Sequence, residues 1–216
     1  MKLKRLMLCC VLAGFAAAAL AFGALVLPAD GVAQTAPGNR PGAGRPLDKP
    51  PQTAEEKAKL LNDLYAHLAT AEDEQAAKPI AETIERLWLY SGSDTISLLM
   101  ERSAAALAAK NSELALKLLD NVVALAPDYA EGFNRRAYVL FSQNNLESAV
   151  GDLRRALALE PNHFKALDGL FQIWREHGNK RGALRVVKQL LEVNPNWPGA
   201  KQAVEELARE VEGQGI

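Results

Sequence analysis

The chain has almost no cysteine, little histidine and no excess of charge of either sign. Its two cysteines, Cys9 and Cys10, both lie in an apolar N-terminal stretch, so the rest has neither a disulfide framework nor a zinc knuckle. Lys and Arg number 25 against 26 Asp and Glu. A nucleic-acid binder needs a basic face to meet phosphates, and this balance argues against one. The three histidines, His67, His163 and His177, fall far apart, and no HExxH, glycine-rich phosphate loop, GxSxG elbow or CxxC is present. Catalysis needs such groups to converge. Glu72-Asp73-Glu74 is a dense acidic run, but three consecutive carboxylates on a helix point in different directions and suit a solvated end. The sequence argues against an enzyme, a metal site and a cofactor site.

What is present begins with an export pattern. Lys2, Lys4 and Arg5 are followed by 22 uncharged residues, Leu6 to Leu27, and then by Pro28-Ala29-Asp30. A basic head, an apolar middle and small residues at the end form a secretory signal peptide. Gly31-Val32-Ala33 is a suitable cleavage site, which predicts a signal over 1–33 and a mature chain from Gln34. The alternative is a retained anchor, because such a run can span a hydrocarbon core of about 30 Å. Either way the positive head stays inside and the remainder crosses. The expected location is therefore the periplasm or cell envelope, with membrane contact only through the N-terminal segment if it is uncleaved. Cys9 and Cys10 precede most of the apolar run, so they read as apolar fillers and not as a lipobox. Removal of 1–33 leaves 22 basic against 25 acidic residues, a mildly acidic chain.

Residues 34–52 hold five prolines, three glycines and one large aliphatic side chain, Leu47. Such a stretch cannot bury enough to offset its ordering entropy and reads as a flexible or polyproline-like tether. Thr53-Ala54-Glu55-Glu56 ends it with a capping box, and helix-period sequence follows.

A repeat of 34 residues organises that sequence. Pro127, Pro161 and Pro195 are 34 apart, as are Ala115, Ala149 and Ala183, with Ala81 in phase. Val123, Leu157 and Leu191 keep the same step with Leu89, and Leu99, Phe133 and Leu167 keep it with Tyr65. Within 130–163, Phe133, Ala137, Leu140 and Phe141 make one helical stripe. Leu146, Ala149, Val150, Leu153, Ala156 and Leu157 make the next. Asn144 or Asn145 is a natural N-cap between them. Gly178 suits a left-handed helix end in the following unit.

These phased positions resemble the tetratricopeptide repeat, over about 62–197. The resemblance implies an all-α fold, a right-handed α-solenoid of helix–turn–helix repeats. Three units are clear, 96–129, 130–163 and 164–197, and a capping helix is expected over 198–212. A degenerate unit is expected within 53–95. Ser93 replaces its closing proline, Glu85 stands at a normally apolar place and Trp88 at a usually small one. Arg102 and Arg136 occupy a common leucine site, and Phe171 a small one. His163 and His177 read as helix-end or surface residues.

Carried over from the family, the first helix of each unit lines a concave face that binds protein or peptide partners. The candidate binding residues are Met100, Asn134, Arg135, Tyr138, Lys165, Asp168, Gln172 and Arg175, with Ser97, Ala104, Leu107 and Phe141 beside them. Met100 and Ala104 stand where the family's carboxylate clamp has polar members, so that clamp is incomplete. The expected function is an exported scaffold. The alternatives are a structural spacer without a peptide groove, or a non-catalytic accessory of an envelope enzyme.

Overall fold

The computed structural model describes Pro51 and residues 53–213. The expected signal segment 1–33, and the tether except Pro51, lie outside the described residues. Among the described residues there are nine helices and no strand. They are α1 (Ala54–Ala69), α2 (Glu74–Leu89), α3 (Asp94–Ala108), α4 (Ser112–Leu125), α5 (Ala130–Ser142), α6 (Leu146–Leu159), α7 (Phe164–Glu176), α8 (Lys180–Val193) and α9 (Ala200–Glu212). The architecture is an all-α helical-repeat solenoid. No described helix is long and apolar enough to cross a membrane.

Local chemistry sets the helix ends. Thr53 Oγ1 accepts the Glu56 N–H at 3.1 Å, which starts α1. The three turns inside the clear units share one device. A residue of positive φ (Lys110, Asn144, Gly178) is followed by an asparagine whose side chain caps the next helix. Each asparagine N–H also returns to a carbonyl five residues back, Asn111 to Ala106, Asn145 to Leu140 and Asn179 to Trp174, in the Schellman pattern. Asn145, not Asn144, is the cap of α6.

Between the paired helices, Ala115, Ala149 and Ala183 are wholly buried. A small side chain at this step lets two backbones come close, and any larger one must displace its neighbours. Arg136 ties its own unit together and joins it to the preceding one. Arg136 on α5 bonds Asp152 on α6 through Nε and Nη2, at 2.7 and 2.8 Å, and reaches Asp120 on α4 at 3.0 Å. Its guanidinium also lies over the Phe133 ring. At the C-terminal end α9 lays Ala200, Ala203 and Leu207 into the core.

The helix pair α1–α2 departs from the expected stacking. The phase of Tyr65, Ala81 and Leu89 predicts a first layer on α3–α4. Instead α2 packs on α5, and α1 packs on α8. Leu89 C=O accepts from Tyr129 Oη (3.1 Å), Glu85 pairs with Lys165 (3.1 Å), and Ala71 C=O accepts from Asn196 (2.7 Å). Thus, going backward along the hairpin, the contacts move forward through the starts of α5 and α7 to the entry of α9. The hairpin lies across the edge where each unit turns into the next. Its apolar residues join the core of α5–α9, while α3–α4 form a separate cluster with Tyr129 and Val139.

The reason is in the residues. At the steps where α4 presents Leu116, Leu119 and Asp120, α2 carries Glu82, Glu85 and Arg86. Stacking on α3 would bury two carboxylates and set Arg86 against Arg102, a costly exchange. The loop 90–93 is four residues long, like 126–129 and 160–163, yet it alone of the three has a positive φ, at Gly92 (74°). Only glycine adopts that conformation without penalty, and it turns the hairpin aside.

Candidate protein-binding surface

The junction between hairpin and repeats is polar at its centre. Glu131, in the first turn of α5, is buried with its carboxylate fully engaged. Oε1 accepts from Arg135 Nε at 2.7 Å, and Oε2 accepts from Asn134 Nδ2 at 2.9 Å and His163 Nε2 at 3.1 Å. Burial pushes the Glu131 carboxyl up, but His163 and Arg135 outweigh it and hold it down at about 2.

His163 stands at a helix end, as expected, but not on the surface. It is wholly buried, and its Nδ1 accepts the Ala166 N–H at 3.2 Å, capping α7. The ring proton therefore sits on Nε2 and donates to Glu131. Trp88 stacks on the imidazole at 3.8 Å and 12°, and meets Phe164 at 4.5 Å. Trp88 Nε1 donates to Tyr65 Oη at 2.9 Å, which ties α1 to α2. Burial pushes the Tyr65 and Tyr129 phenols up, so both stay neutral as hydrogen-bond groups. Lys57 Nζ donates to Tyr90 C=O at 2.6 Å, and burial pushes its ammonium down against the pull of Glu160 and Glu131. His177, by contrast, is exposed at the end of α7 before Gly178 (φ 75°).

The structure divides the sequence-derived candidates. Met100 is buried in the α3–α4 core and presents no surface, because an apolar side chain at this step finds the second helix and Tyr129. Asn134 and Arg135 are half-buried and turned to Glu131. Lys165 is exposed but paired with Glu85 of the hairpin. Asp168 is half-buried and accepts from Trp197 Nε1 (3.2 Å) and Gln172 Nε2 (3.3 Å); burial pushes its carboxyl up against those bonds. Gln172 Oε1 in turn accepts from Arg175 at 2.7 Å, and the Arg175 guanidinium lies over the Phe171 ring.

Tyr138 is the candidate left open. It is 53% exposed, between the buried Ala137 and Val139. Tyr138 and Gln172 stand at the same step of the period, as do Phe141 and Arg175, so the four form two short rows on successive first helices. The hairpin covers the starts of α5 and α7, and this patch lies nearer their ends.

Sequence reasoning missed Glu131, His163 and Trp88 as one cluster. A signal exists: Tyr129, His163 and Trp197 are rings 34 residues apart, and each makes a long-range hydrogen bond, to Leu89, Glu131 and Asp168.

Comparison with known proteins supports the same reading. A sequence model of the tetratricopeptide repeat matches residues 130–163. A TPR repeat-containing protein of Rhizobium etli is 37% identical over 153 residues, 71% of this chain and 75% of that protein. Tetratricopeptide repeat protein 13 of Homo sapiens is 35% identical over 91 residues, 41% of this chain and 10% of that protein. Among solved structures, the Sgt2 TPR domain from Aspergillus fumigatus superposes with a TM-score of 0.50 at 22% identity, covering 56% of this chain and 81% of its own. The MamA protein gives 0.50 at 17% identity, with 72% and 82% covered. Such domains are generally non-catalytic scaffolds that bind protein partners. With a relative this similar over three quarters of its length, and the repeat matched in sequence and fold, the chain belongs to the tetratricopeptide-repeat proteins.

Proposed function

We propose that this chain is an exported scaffold that holds a protein or peptide partner in the cell envelope, through the part of its concave face that α2 leaves uncovered. The observation that carries the reading is Tyr138, an exposed aromatic with no hydrogen-bond partner among the described residues. On the following first helix the Arg175 guanidinium is held in place by Gln172, which shares Tyr138's step of the period, and by Phe171. Tyr and Arg are the residue types that most often dominate interfaces, and a guanidinium fork suits a carboxylate. The basic head and apolar run of residues 2–27 support export.

Pull-down from envelope extracts followed by calorimetric titration tests the site. Tyr138→Ala is expected to weaken partner binding by about 2 kcal/mol. Lys117→Ala, in an exposed pair with Glu113 on α4, should leave binding unchanged. A spacer would instead use its outer side, where Leu146, Glu147, Val150, Arg154 and Trp174 line a shallow hollow. If Glu147→Ala were the more damaging change, the concave assignment would fall. For export, mass spectrometry should find an N-terminus at Gln34; an intact chain resisting salt extraction would favour the anchor.

A further inference from the structure

Among the described residues nothing covers the α3–α4 end of the stack, and the molecule itself shows what that face normally carries. On α5, Val139 is buried in the α3–α4 cluster, and Gly132 lies against Val122 and Val123 of α4. On α7, Ile173 and Ala166 at the same steps are buried. Their counterparts on α3 are Ala105 and Leu98, both exposed, Leu98 by 47%. Leu114 and Leu125 on α4 are exposed by 44% and 63%. Arg136 reaches back to Asp120 of the preceding helix, whereas its counterpart Arg102 has no ion partner among the described residues, and neither has Glu101. α9 closes the other end, so among the described residues the stack is capped on one side only.

Two of the chain's own segments fit this face poorly. The hairpin would bring Glu82, Glu85 and Arg86 to it, and the apolar run Leu6–Leu27 has no charge to answer Glu101 and Arg102. A second copy fits. When two α3 helices meet antiparallel about an axis between Glu101 and Arg102, the numbering pairs Glu101 with Arg102 of the second copy, twice. The same register sets Leu98 against Ala105, large against small, on both sides of the axis. Leu114 and Leu125 flank the seam. An isologous contact must be self-complementary in this way.

We propose that the α3–α4 end face is a self-association surface through which two copies of this chain meet about a twofold axis at Glu101 and Arg102. The contact is small, at the low end of specific interfaces, so a dissociation constant of roughly 1–100 µM is expected.

The test is sedimentation velocity of the chain as isolated from cells, across concentration. Arg102→Glu and Glu101→Arg each set like charges opposite one another and should weaken dimerisation by at least about tenfold. Mixing the two variants, or combining both changes in one chain, restores opposite charges and should recover dimerisation. In a background of Cys9→Ser and Cys10→Ser, Leu98→Cys and Ala105→Cys chains should cross-link on mixing more readily than either alone. Circular dichroism checks that each variant keeps its helices. A wild-type chain that stays monomeric throughout would overturn the proposal. So would self-association indifferent to the reversals, or reversals that mixing does not rescue.

Discussion

The pairs α1–α2 and α3–α4 have similar helix lengths and lead into the next helix through four-residue loops, although the ends of α1 and α2 fall two to six residues before the 34-residue step. They nevertheless pack in different ways. α4 presents Leu116, Leu119 and Val123 to the next unit and stacks; α2 presents Glu82 and Glu85 at the corresponding steps and is turned aside at Gly92. Repeat phase sets where helices begin and end in the clear units, while the side chains of one helix face decide what they pack against.

Removing Trp88 breaks the comparison most severely. Trp88→Ala takes away the ring on His163 and Phe164 and the bond to Tyr65, and should cost about 3–5 kcal/mol. Hydrogen exchange should then show α1–α2 released while α5–α8 stay protected; equal loss of protection everywhere would mean that hairpin and repeats fold as one unit.

The charged junction makes a pH test. Glu131 titrates near 2 in the folded chain and near its ordinary 4.5 when unfolded, so the unfolded chain takes up this proton first as pH falls. Its contribution, on the order of 3 kcal/mol, is fully present above about pH 4.5 and lost as pH falls towards 2. Denaturant titrations over that window should show a flatter acid limb for Glu131→Gln than for the wild type.

A paired substitution sharpens the contrast between stacked and turned-aside helices. Ala149→Leu overfills a closed contact and should cost about 1–3 kcal/mol. Ala81→Leu, at the same step of the period but only half-buried, should cost less than about 1 kcal/mol. Equal shifts in denaturation midpoint would show that the hairpin is packed like a repeat after all. The smallest effect belongs to the turn. Nothing lies within 4 Å of a Cβ placed on Gly92, so Gly92→Ala meets only its positive φ. A loss of about 1 kcal/mol is expected, and an unchanged midpoint would show that the loop relaxes freely.

Much of the fold was legible because it is local. The Asn caps at 111, 145 and 179, the small residues at 115, 149 and 183 and the closing prolines each act within their own unit. The hairpin's seat was not legible in the same way, because it depends on contacts between residues far apart in sequence. Glu85, Trp88 and Ser93 do stand out as departures from the repeat, and each has a part in the altered packing. Glu85 pairs with Lys165, Trp88 covers His163, and Ser93 caps α3 where a proline would close the unit. At the site, periodicity placed Tyr138, Gln172 and Arg175 on successive helices. It misjudged the exposure of Met100 and of the helix-end His163, since exposure depends on which neighbour arrives.

The bond from Asn196 to the carbonyl of Ala71 spans 125 residues in a molecule whose other helix contacts mostly join immediate neighbours. A repeat stack can grow one layer at a time as the chain is synthesised, but this closure cannot. The N-terminal hairpin emerges first and finds its seat last, after α7, α8 and the entry to α9 exist. That long loop raises the contact order, which slows docking of the hairpin relative to the local pairing of each unit. Until then Trp88, Ile84 and Leu87 stay uncovered, which is the interval in which a chaperone would have most to hold.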